Sequence, residues 1–327
     1  MWKLALLALV PACDLYFGHS APSQPPPIEV DAAVTVVSDA GSTVDAGPAA
    51  FLVDEPGMYA MASDATYLYW IDNGQFDHVA NLRRVPLAGG AVETLLSTPE
   101  RVYGFAVAGD SAYVAHAAAD VGEILRVPLD GSPVTQLATV PNPTAVAVDG
   151  GWVYYNKAYS PDGEILRVPT AGGTPQVVVA SVDNPWALAA RDGVLFYAEM
   201  NRGRIMRVTA GAAPEQLASG WVGTAAIDVD ADGAYFVACD DGPCETPHLF
   251  AVPLAGGTVR RLVAGTFSGS NVSVRNGWVL WDNMLVPTSG GPPTPLQHVV
   301  GPIAVAATSG GYFIGDFYTG AVYRTPP

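Results

Sequence analysis

One pattern of short strands and turns recurs seven times between Pro56 and the end of the chain, with about forty residues in each copy. Its clearest copy covers residues 143–181, where the runs AVAV, WVYYN, EILRV and QVVVA are separated by Asp-Gly-Gly, a polar loop and Ala-Gly-Gly. Short β-branched and aromatic runs bounded by such turns predict strands joined as an antiparallel meander. A repeat of this length predicts a fold made of similar units placed side by side.

Four-stranded meanders of this size are typical of the blades of a β-propeller. We therefore expect an all-β fold, a seven-bladed β-propeller of four-stranded antiparallel blades, over residues 49–327. Most copies end their third strand in Arg-Val-Pro or a variant of it. Proline cannot donate to a sheet ladder, so it marks a strand end. The composition agrees, because half of the residues are hydrophobic and only 14% are charged.

The last copy of the repeat stops after its third strand, at Pro327. A lone β-type run at residues 49–54 precedes the first copy, where it can supply the missing outer strand. An uncovered sheet edge favours aggregation, so closure of the last blade by this N-terminal strand is expected. The alternative is that residues 49–54 are the frayed end of a linker.

The first thirteen residues carry one positive charge, a short apolar stretch and a small residue before Cys13. The stretch is too short to span a bilayer. It resembles a bacterial lipoprotein signal peptide. This resemblance implies that residues 1–12 are removed and that Cys13 carries acyl chains, which would anchor the protein in the bacterial cell envelope, at the periplasmic or the outer surface. A soluble secreted protein and a misassigned start remain alternatives.

Residues 13–48 are rich in Pro, Ala, Ser and Asp and contain no Lys or Arg. Such a segment cannot bury enough apolar surface to offset its conformational entropy, so a disordered acidic tether is expected.

Further along, Cys239 and Cys244 lie close together in the sequence CDDGPCET. In an exported protein a disulfide is the first interpretation. A metal site would need additional sulfur or histidine ligands.

Two repeated or motif-like features have a structural and a functional interpretation. Five copies of the repeat carry arginine at one position of the third strand, which predicts pairing with turn aspartates between blades or, alternatively, a shared anion site. The run from Asp228 to Gly233 matches the front half of a calcium loop, but Cys239 stands where the last acidic ligand belongs. Turn formation by Asp230 is therefore favoured over calcium binding.

Histidine is rare, and two of the five histidines are expected in loops between second and third strands. Streptogramin-inactivating lyases are seven-bladed propellers that use a histidine and metal-binding acids on this face. That resemblance makes His78 and His116 candidate catalytic residues of a metal-dependent lyase or hydrolase. No repeated spacing of histidine and acid supports it, and no cofactor is expected from the motifs present.

The loop face is the candidate binding surface, because its loops combine aromatic and acidic residues that suit peptide, cationic or sugar ligands. The alternative is that these side chains only fill the central channel and solvate the loops. The residues selected for binding are Tyr103, Tyr159, Trp186, Trp221, Phe267, Asp72 and Asp316.

The second strands, such as Tyr69-Trp70-Ile71-Asp72, resemble YWTD- and NHL-type repeats, and the repeat as a whole resembles exported bacterial propeller lipoproteins. The resemblance implies a non-catalytic lipoprotein that presents its propeller as a platform for an unknown protein, peptide or glycan. A net charge of −16 argues against nucleic acid as a partner. We expect a monomer that meets the membrane only through its lipid anchor.

Overall fold

A computed structural model describes residues 50–54, 58–74, 79–118, 121–158, 163–240, 244, 246–265, 271–296, 302–308, 311–316 and 321–325. Cys13 and the tether at residues 13–48 lie outside these ranges. The described residues form 28 strands that pair as seven four-stranded antiparallel sheets. No described segment is a helix long and apolar enough to cross a membrane.

Six sheets are blades made of four strands that follow one another in the sequence. Their strands are, for blade 1, β2 (Met58–Ser63), β3 (Tyr67–Asp72), β4 (Ala80–Pro86) and β5 (Glu93–Thr98); for blade 2, β6 (Arg101–Ala108), β7 (Ser111–Ala118), β8 (Val121–Pro128) and β9 (Thr135–Val140); for blade 3, β10 (Val146–Asp149), β11 (Trp152–Lys157), β12 (Gly163–Pro169) and β13 (Gln176–Val182); for blade 4, β14 (Pro185–Arg191), β15 (Val194–Glu199), β16 (Arg204–Thr209) and β17 (Glu215–Ser219); for blade 5, β18 (Val222–Val229), β19 (Gly233–Cys239), β20 (His248–Pro253) and β21 (Arg260–Val263); and for blade 6, β22 (Val272–Arg275), β23 (Trp278–Trp281), β24 (Met284–Pro287) and β25 (Thr294–Pro295).

The expectation of a seven-bladed propeller is corrected by this strand order, because the described chain forms six blades that are continuous in sequence. The remaining strands form a composite sheet from both ends of the described chain, in the order β1-β28-β27-β26. Its strands are β1 (Ala50–Asp54), β26 (Pro302–Thr308), β27 (Gly311–Asp316) and β28 (Ala321–Thr325). Ala50 pairs with Arg324 and Asp54 with Ala321. The run at residues 49–54 therefore covers the edge that the truncated last copy leaves open.

The strand order gives the ring two different faces. We call upper the face that holds the loops from second to third strands and the loops between successive blades. The lower face holds the tight turns from first to second and from third to fourth strands. The first strand of each blade lines the central channel and runs from the upper to the lower face.

The hydrophobic core lies between neighbouring blades. Alternate residues of a strand point to opposite sides of the sheet. In β3, Leu68 and Trp70 accordingly pack towards the composite sheet, where Phe313 lies, while Tyr69 and Ile71 pack towards blade 2. All four of these β3 side chains are fully buried. This packing on both sides of each sheet explains why the second strands read as nearly continuous hydrophobic runs.

The repeated third-strand arginines bind mainly within their own blades, which corrects the expectation of pairing between blades. Arg84 binds Glu93 of the neighbouring fourth strand at 2.8 Å and lies 4.3 Å above the ring of Tyr67. Arg167 binds Gln176 in the same way and lies 3.9 Å above the ring of Trp152. For these two arginines the fourth strand provides the partner because it lies directly opposite in the ladder. Arg126 instead binds Asp110 in the turn of its own blade, and Arg207 adds a bond to the carbonyl of Leu254 in the next blade.

The aspartates of two first-to-second turns make one set of contacts. Asp230 accepts hydrogen bonds from the backbone of Asp232 and Gly233 and from the Tyr235 hydroxyl. Asp64 accepts the equivalent bonds, including one of 2.6 Å from the Tyr69 hydroxyl. Burial raises the pKa of Asp64, but these hydrogen bonds outweigh it and hold that pKa below its ordinary value. Asp230 therefore stabilises the turn between β18 and β19, as its place in the repeat predicts.

Cys239 and Cys244 form the predicted disulfide, with their Cα atoms 5.2 Å apart. Both cysteines are buried, and Val222 and Ala225 of the inner strand pack against them. The bridge therefore holds Cys244 against the end of β19, beside the inner strand β18.

Candidate functional site at the upper channel mouth

Five of the described inner strands contain a register shift close to their upper ends, and in three of them the residue between the paired positions is aromatic. These three shifts lie between Met58 and Ala60 in blade 1, between Val102 and Gly104 in blade 2, and between Pro185 and Ala187 in blade 4. The intervening residues are Tyr59, Tyr103 and Trp186. A β-bulge of this kind redirects the side chain of the extra residue. We call these three aromatic residues the aromatic collar.

The collar residues lie around a cavity of about 210 Å³ in the upper half of the channel. The inner strands of all six continuous blades contribute to its wall. Beside the collar, the wall includes the ring of Phe105, the hydroxyl of Thr144 and the amide of Asn271, and none of the described residues that line it is charged. This described wall therefore offers aromatic faces and a few neutral polar groups.

Gly104 lets the inner strands of blades 2 and 3 come close together. A Cβ atom at Gly104 would stand 2.9 Å from the Thr144 carbonyl oxygen and 3.1 Å from the Cα of Ala145. Any larger residue would push the two strands apart, although the backbone here does not need a positive φ. The absence of a side chain at Gly104, next to Tyr103, therefore permits this close approach of the two strands beside the collar.

A buried asparagine holds two segments of the collar region in place. Asn156 is fully buried, and its Oδ1 accepts hydrogen bonds of 2.9 Å from the backbone N–H groups of Thr144 and Ala145. Its Nδ2 donates to the Thr144 hydroxyl and to the carbonyl of Pro185, which directly precedes Trp186. Because its partners lie in blade 3 and in blade 4, Asn156 fixes the position of Trp186 relative to the neighbouring strand.

Asp72, one of the acids selected from the sequence, is occupied within the protein. It is 5% exposed, and its carboxylate accepts bonds from the backbone of Gly74 and from Asn81. Arg83 lies 3.4 Å away. Asp72 therefore organises the upper end of blade 1 rather than facing the channel cavity.

His116 lies within the second strand β7 and not in the loop expected for it, at the junction of blades 1 and 2 and between two carboxylates. Its Nδ1 is 2.9 Å from Oε2 of Glu100 and its Nε2 is 3.1 Å from Oε2 of Glu123. The imidazole is buried, and both of its nitrogens face a glutamate. His116 does not line the collar cavity. Within the described part of the chain, no group of three His, Cys, Asp or Glu residues is arranged to hold a metal ion.

Trp221 packs in the core, unlike Trp186, although both tryptophans were selected as residues of the binding loops. Its ring packs edge-on against Phe236 at 5.3 Å and lies 5.6 Å from Phe250, within the core between blades 4 and 5. Of the other selected residues, Tyr159, Phe267 and His78 lie outside the described residues. Asp316 is placed only as the last residue of β27.

The structure adds Tyr59, Phe105, Thr144 and Asn271 to the site. A sequence signal for the collar existed, because Tyr59, Tyr103 and Trp186 share one position near the start of the first strand. The sequence alone places Tyr59 only in a core strand, because strand periodicity does not reveal a bulge.

The lower half of the channel is a separate, wider cavity of about 770 Å³ with charged walls. Asp228 lies in its wall and accepts a 2.8 Å bond from the backbone of Val274 in blade 6. Burial raises the pKa of Asp228 to about 6. Three apolar residues, Met61, Ile227 and Val272, border both cavities and therefore lie at the level between them.

No family model matches the chain, and no curated protein matches it in sequence. Several solved structures share its fold. A catalytically inactive variant of virginiamycin B lyase from Staphylococcus aureus with quinupristin gives a TM-score of 0.64 at 15% identity, over 86% of this chain and 98% of that one. A streptogramin B lyase gives 0.62 at 12% identity, over 84% and 94% of the two chains. The WD40 domain of Neurospora crassa Pan2 gives 0.61 at 8% identity, over 84% and 90%. At these identities the likeness establishes the propeller fold alone.

Proposed function

We propose that this protein is a non-catalytic binding protein of a bacterial cell envelope, anchored by lipid on Cys13, that captures a ligand at the upper mouth of its propeller. The observation that carries the proposal is the aromatic collar. Three separate blades each use a bulge to place an aromatic residue at the wall of one cavity. Bulges cluster at functional sites because they redirect side chains at the expense of regular pairing.

The direction of β1 supports the anchored arrangement. Because β1 is antiparallel to β28, which runs downwards as a third strand, Ala50 lies at the lower face and Asp54 at the upper face. The chain ahead of Ala50 therefore leaves the propeller from below. A lipid at Cys13 would then be connected to the lower face through the tether expected at residues 13–48, which leaves the collar on the opposite face free for a protein, peptide or glycan.

Capture from envelope extracts tests the binding function. The full chain and its Tyr103→Leu/Trp186→Leu variant are immobilised, and the bound material is quantified. The control is Trp152→Leu, which removes a half-buried tryptophan from the lower end of blade 3. We expect at least tenfold less capture by the collar variant and unchanged capture by the control, since aromatic anchors dominate such contacts. Equal capture by all three proteins would contradict the proposal.

A metal-dependent lyase or hydrolase is the second candidate, and the observation that favours it is the buried imidazole of His116, a potential general base, which has a carboxylate at each ring nitrogen although the three side chains are not arranged as a metal site. A general base must reach its substrate directly or through one water. Here each imidazole nitrogen already faces a glutamate, which favours a structural role across the junction of blades 1 and 2. Cleavage of quinupristin that requires a divalent metal and disappears in His116→Ala would establish the enzyme instead.

A further inference from the structure

We infer that the aromatic collar takes an alkylammonium group, such as a quaternary ammonium ion. This inference rests on the proposed binding function and specifies its ligand. The tyrosine and tryptophan of the collar belong to the side chains whose ring faces attract cations most strongly. Tyr59, Tyr103 and Trp186 come from three different blades, so they surround the cavity instead of forming one flat wall.

The charges of the described cavity wall and of the whole chain disfavour an anionic ligand and are compatible with a cationic one. Among the described residues that line the collar cavity there is no Lys, Arg or His, so this part of the wall offers an anion no ionic partner. The same described wall contains no Asp or Glu, so aromatic faces are its means of holding a cation. The net charge of −16 over the chain repels anions and favours the approach of cations.

The polar groups of the cavity are too few for a sugar as the primary ligand. A sugar ring needs hydrogen-bond partners for several hydroxyls, since an unpaired buried hydroxyl costs free energy. The Thr144 hydroxyl already accepts a bond of 2.7 Å from Asn156. The other polar side-chain groups of the described wall are few, chiefly the Asn271 amide and the hydroxyls of Tyr59 and Tyr103. A quaternary ammonium group, which carries no N–H, needs no hydrogen bonds from the wall.

The size of the cavity agrees with a head group rather than a large ligand. About 210 Å³ lies below the range of about 300–1,000 Å³ that is typical of sites for drug-sized molecules. Met61, Ile227 and Val272 border the cavity on its lower side, so a ligand enters from above. One compact group, carried alone or at the end of a longer molecule, fits this space.

Calorimetric titration of the full chain with choline tests the inference. Its control is 3,3-dimethylbutan-1-ol, which has the same shape without the charge, and sodium chloride holds the ionic strength constant. We expect choline to bind at least about tenfold more tightly than the uncharged isostere. We also expect Trp186→Leu and Tyr103→Leu each to weaken choline binding about tenfold, and Tyr103→Phe, which keeps the ring, to change it less than twofold.

Further arms separate the possible outcomes. Tighter binding of a trimethyllysine peptide than of choline would support the inference and assign the ammonium group to a protein partner. Equal binding of the isostere, absence of choline binding, or choline binding that survives both leucine variants would overturn the inference. Binding of N-acetylglucosamine without choline would also overturn it, and if Trp186→Leu abolished that binding, the collar would remain a binding site. Unchanged envelope capture by the collar variant would instead remove the proposed function itself.

Discussion

Asp282 occupies in blade 6 the place that Asn156 occupies in blade 3. Each directly follows the second-strand residue that pairs with a valine of the inner strand, Val272 in one blade and Val146 in the other. Both side chains are buried, at 3% and 0% exposure. Asn156 uses its amide to join two blades, whereas Oδ2 of Asp282 has no hydrogen-bond partner within the described residues. Burial raises the pKa of Asp282 from 3.8 to about 7.

The first prediction is that Asp282→Asn raises the melting temperature more at pH 8 than at pH 5. Between pH 3.8 and about 7 the folded protein holds a proton on Asp282 that the unfolded chain releases, so stability falls as the pH rises through this window. Because asparagine cannot ionise, the Asp282→Asn variant avoids the loss of stability that ionisation of Asp282 causes. Burial also raises the pKa of Asp228, so stability falls with rising pH at that residue as well. This contribution is the same in the parent and in the variant.

Asn156→Asp is the matched control for this prediction. It introduces a carboxyl where the Nδ2 of Asn156 now donates to the Pro185 carbonyl, so its destabilisation should be larger at pH 8 than at pH 5. Melting curves of the three proteins at both pH values provide the measurement. Shifts that do not depend on pH would show that neither position titrates as described.

The second prediction concerns Asp64, where the pH dependence has the opposite sign. The hydrogen bonds to its carboxylate hold its pKa below 3.8, so their stabilisation is present above that pH and is lost as the pH falls below it. Tyr69→Phe removes the 2.6 Å bond from a buried hydroxyl. We expect it to cost about 1–2 kcal/mol at pH 7 and to raise the pKa of Asp64. An NMR titration of Asp64 that is the same in both proteins would refute this.

The third prediction is that removal of residues 50–54 lowers the melting temperature by more than about 5 °C. The deletion exposes the edge of β28, which β1 covers in the intact sheet. Deletion of residues 31–48 is the control, because it shortens the chain but keeps β1. Melting temperatures that agree for both deletions and the parent would show that β1 contributes nothing to stability.

The fourth prediction is that the disulfide contributes about 2 kcal/mol, the entropy expected for closing so small a loop. Urea unfolding of the Cys239→Ala/Cys244→Ala variant should show this loss. A reducing agent should destabilise the parent by a similar amount and leave the variant unchanged. If the reductant affected both proteins equally, the loss would have another source.

The fifth prediction is that the mature protein begins at a lipidated Cys13. Mass spectrometry of the membrane fraction should show acyl chains on that cysteine, since more than one chain is needed for stable anchoring. Cys13→Ala should leave the chain unprocessed or free of the membrane, while Cys239→Ala/Cys244→Ala should leave processing unchanged. A full-length chain beginning at Met1 in the soluble fraction of the parent would refute the assignment.

The sequence predicted those features that depend on local chemistry. Glycine turns and third-strand prolines mark strand ends within a few residues, and a separation of five residues brings Cys239 within reach of Cys244. The bulges escaped prediction because they depend on how one strand pairs with its neighbour. Trp186 and Trp221 illustrate this limit. Trp186 lies within a bulge at the channel, whereas Trp221 precedes β18 and packs against Phe236.

The composite sheet also decides where a mechanical load on this protein would act. Any tension on the chain ahead of Ala50 enters the propeller through β1, which is held by its pairing with β28. A pull directed along β1, away from its N-terminal end at Ala50, acts parallel to the paired strands and shears their hydrogen bonds together instead of opening them one at a time. The joint that closes the ring is therefore also the one that withstands force.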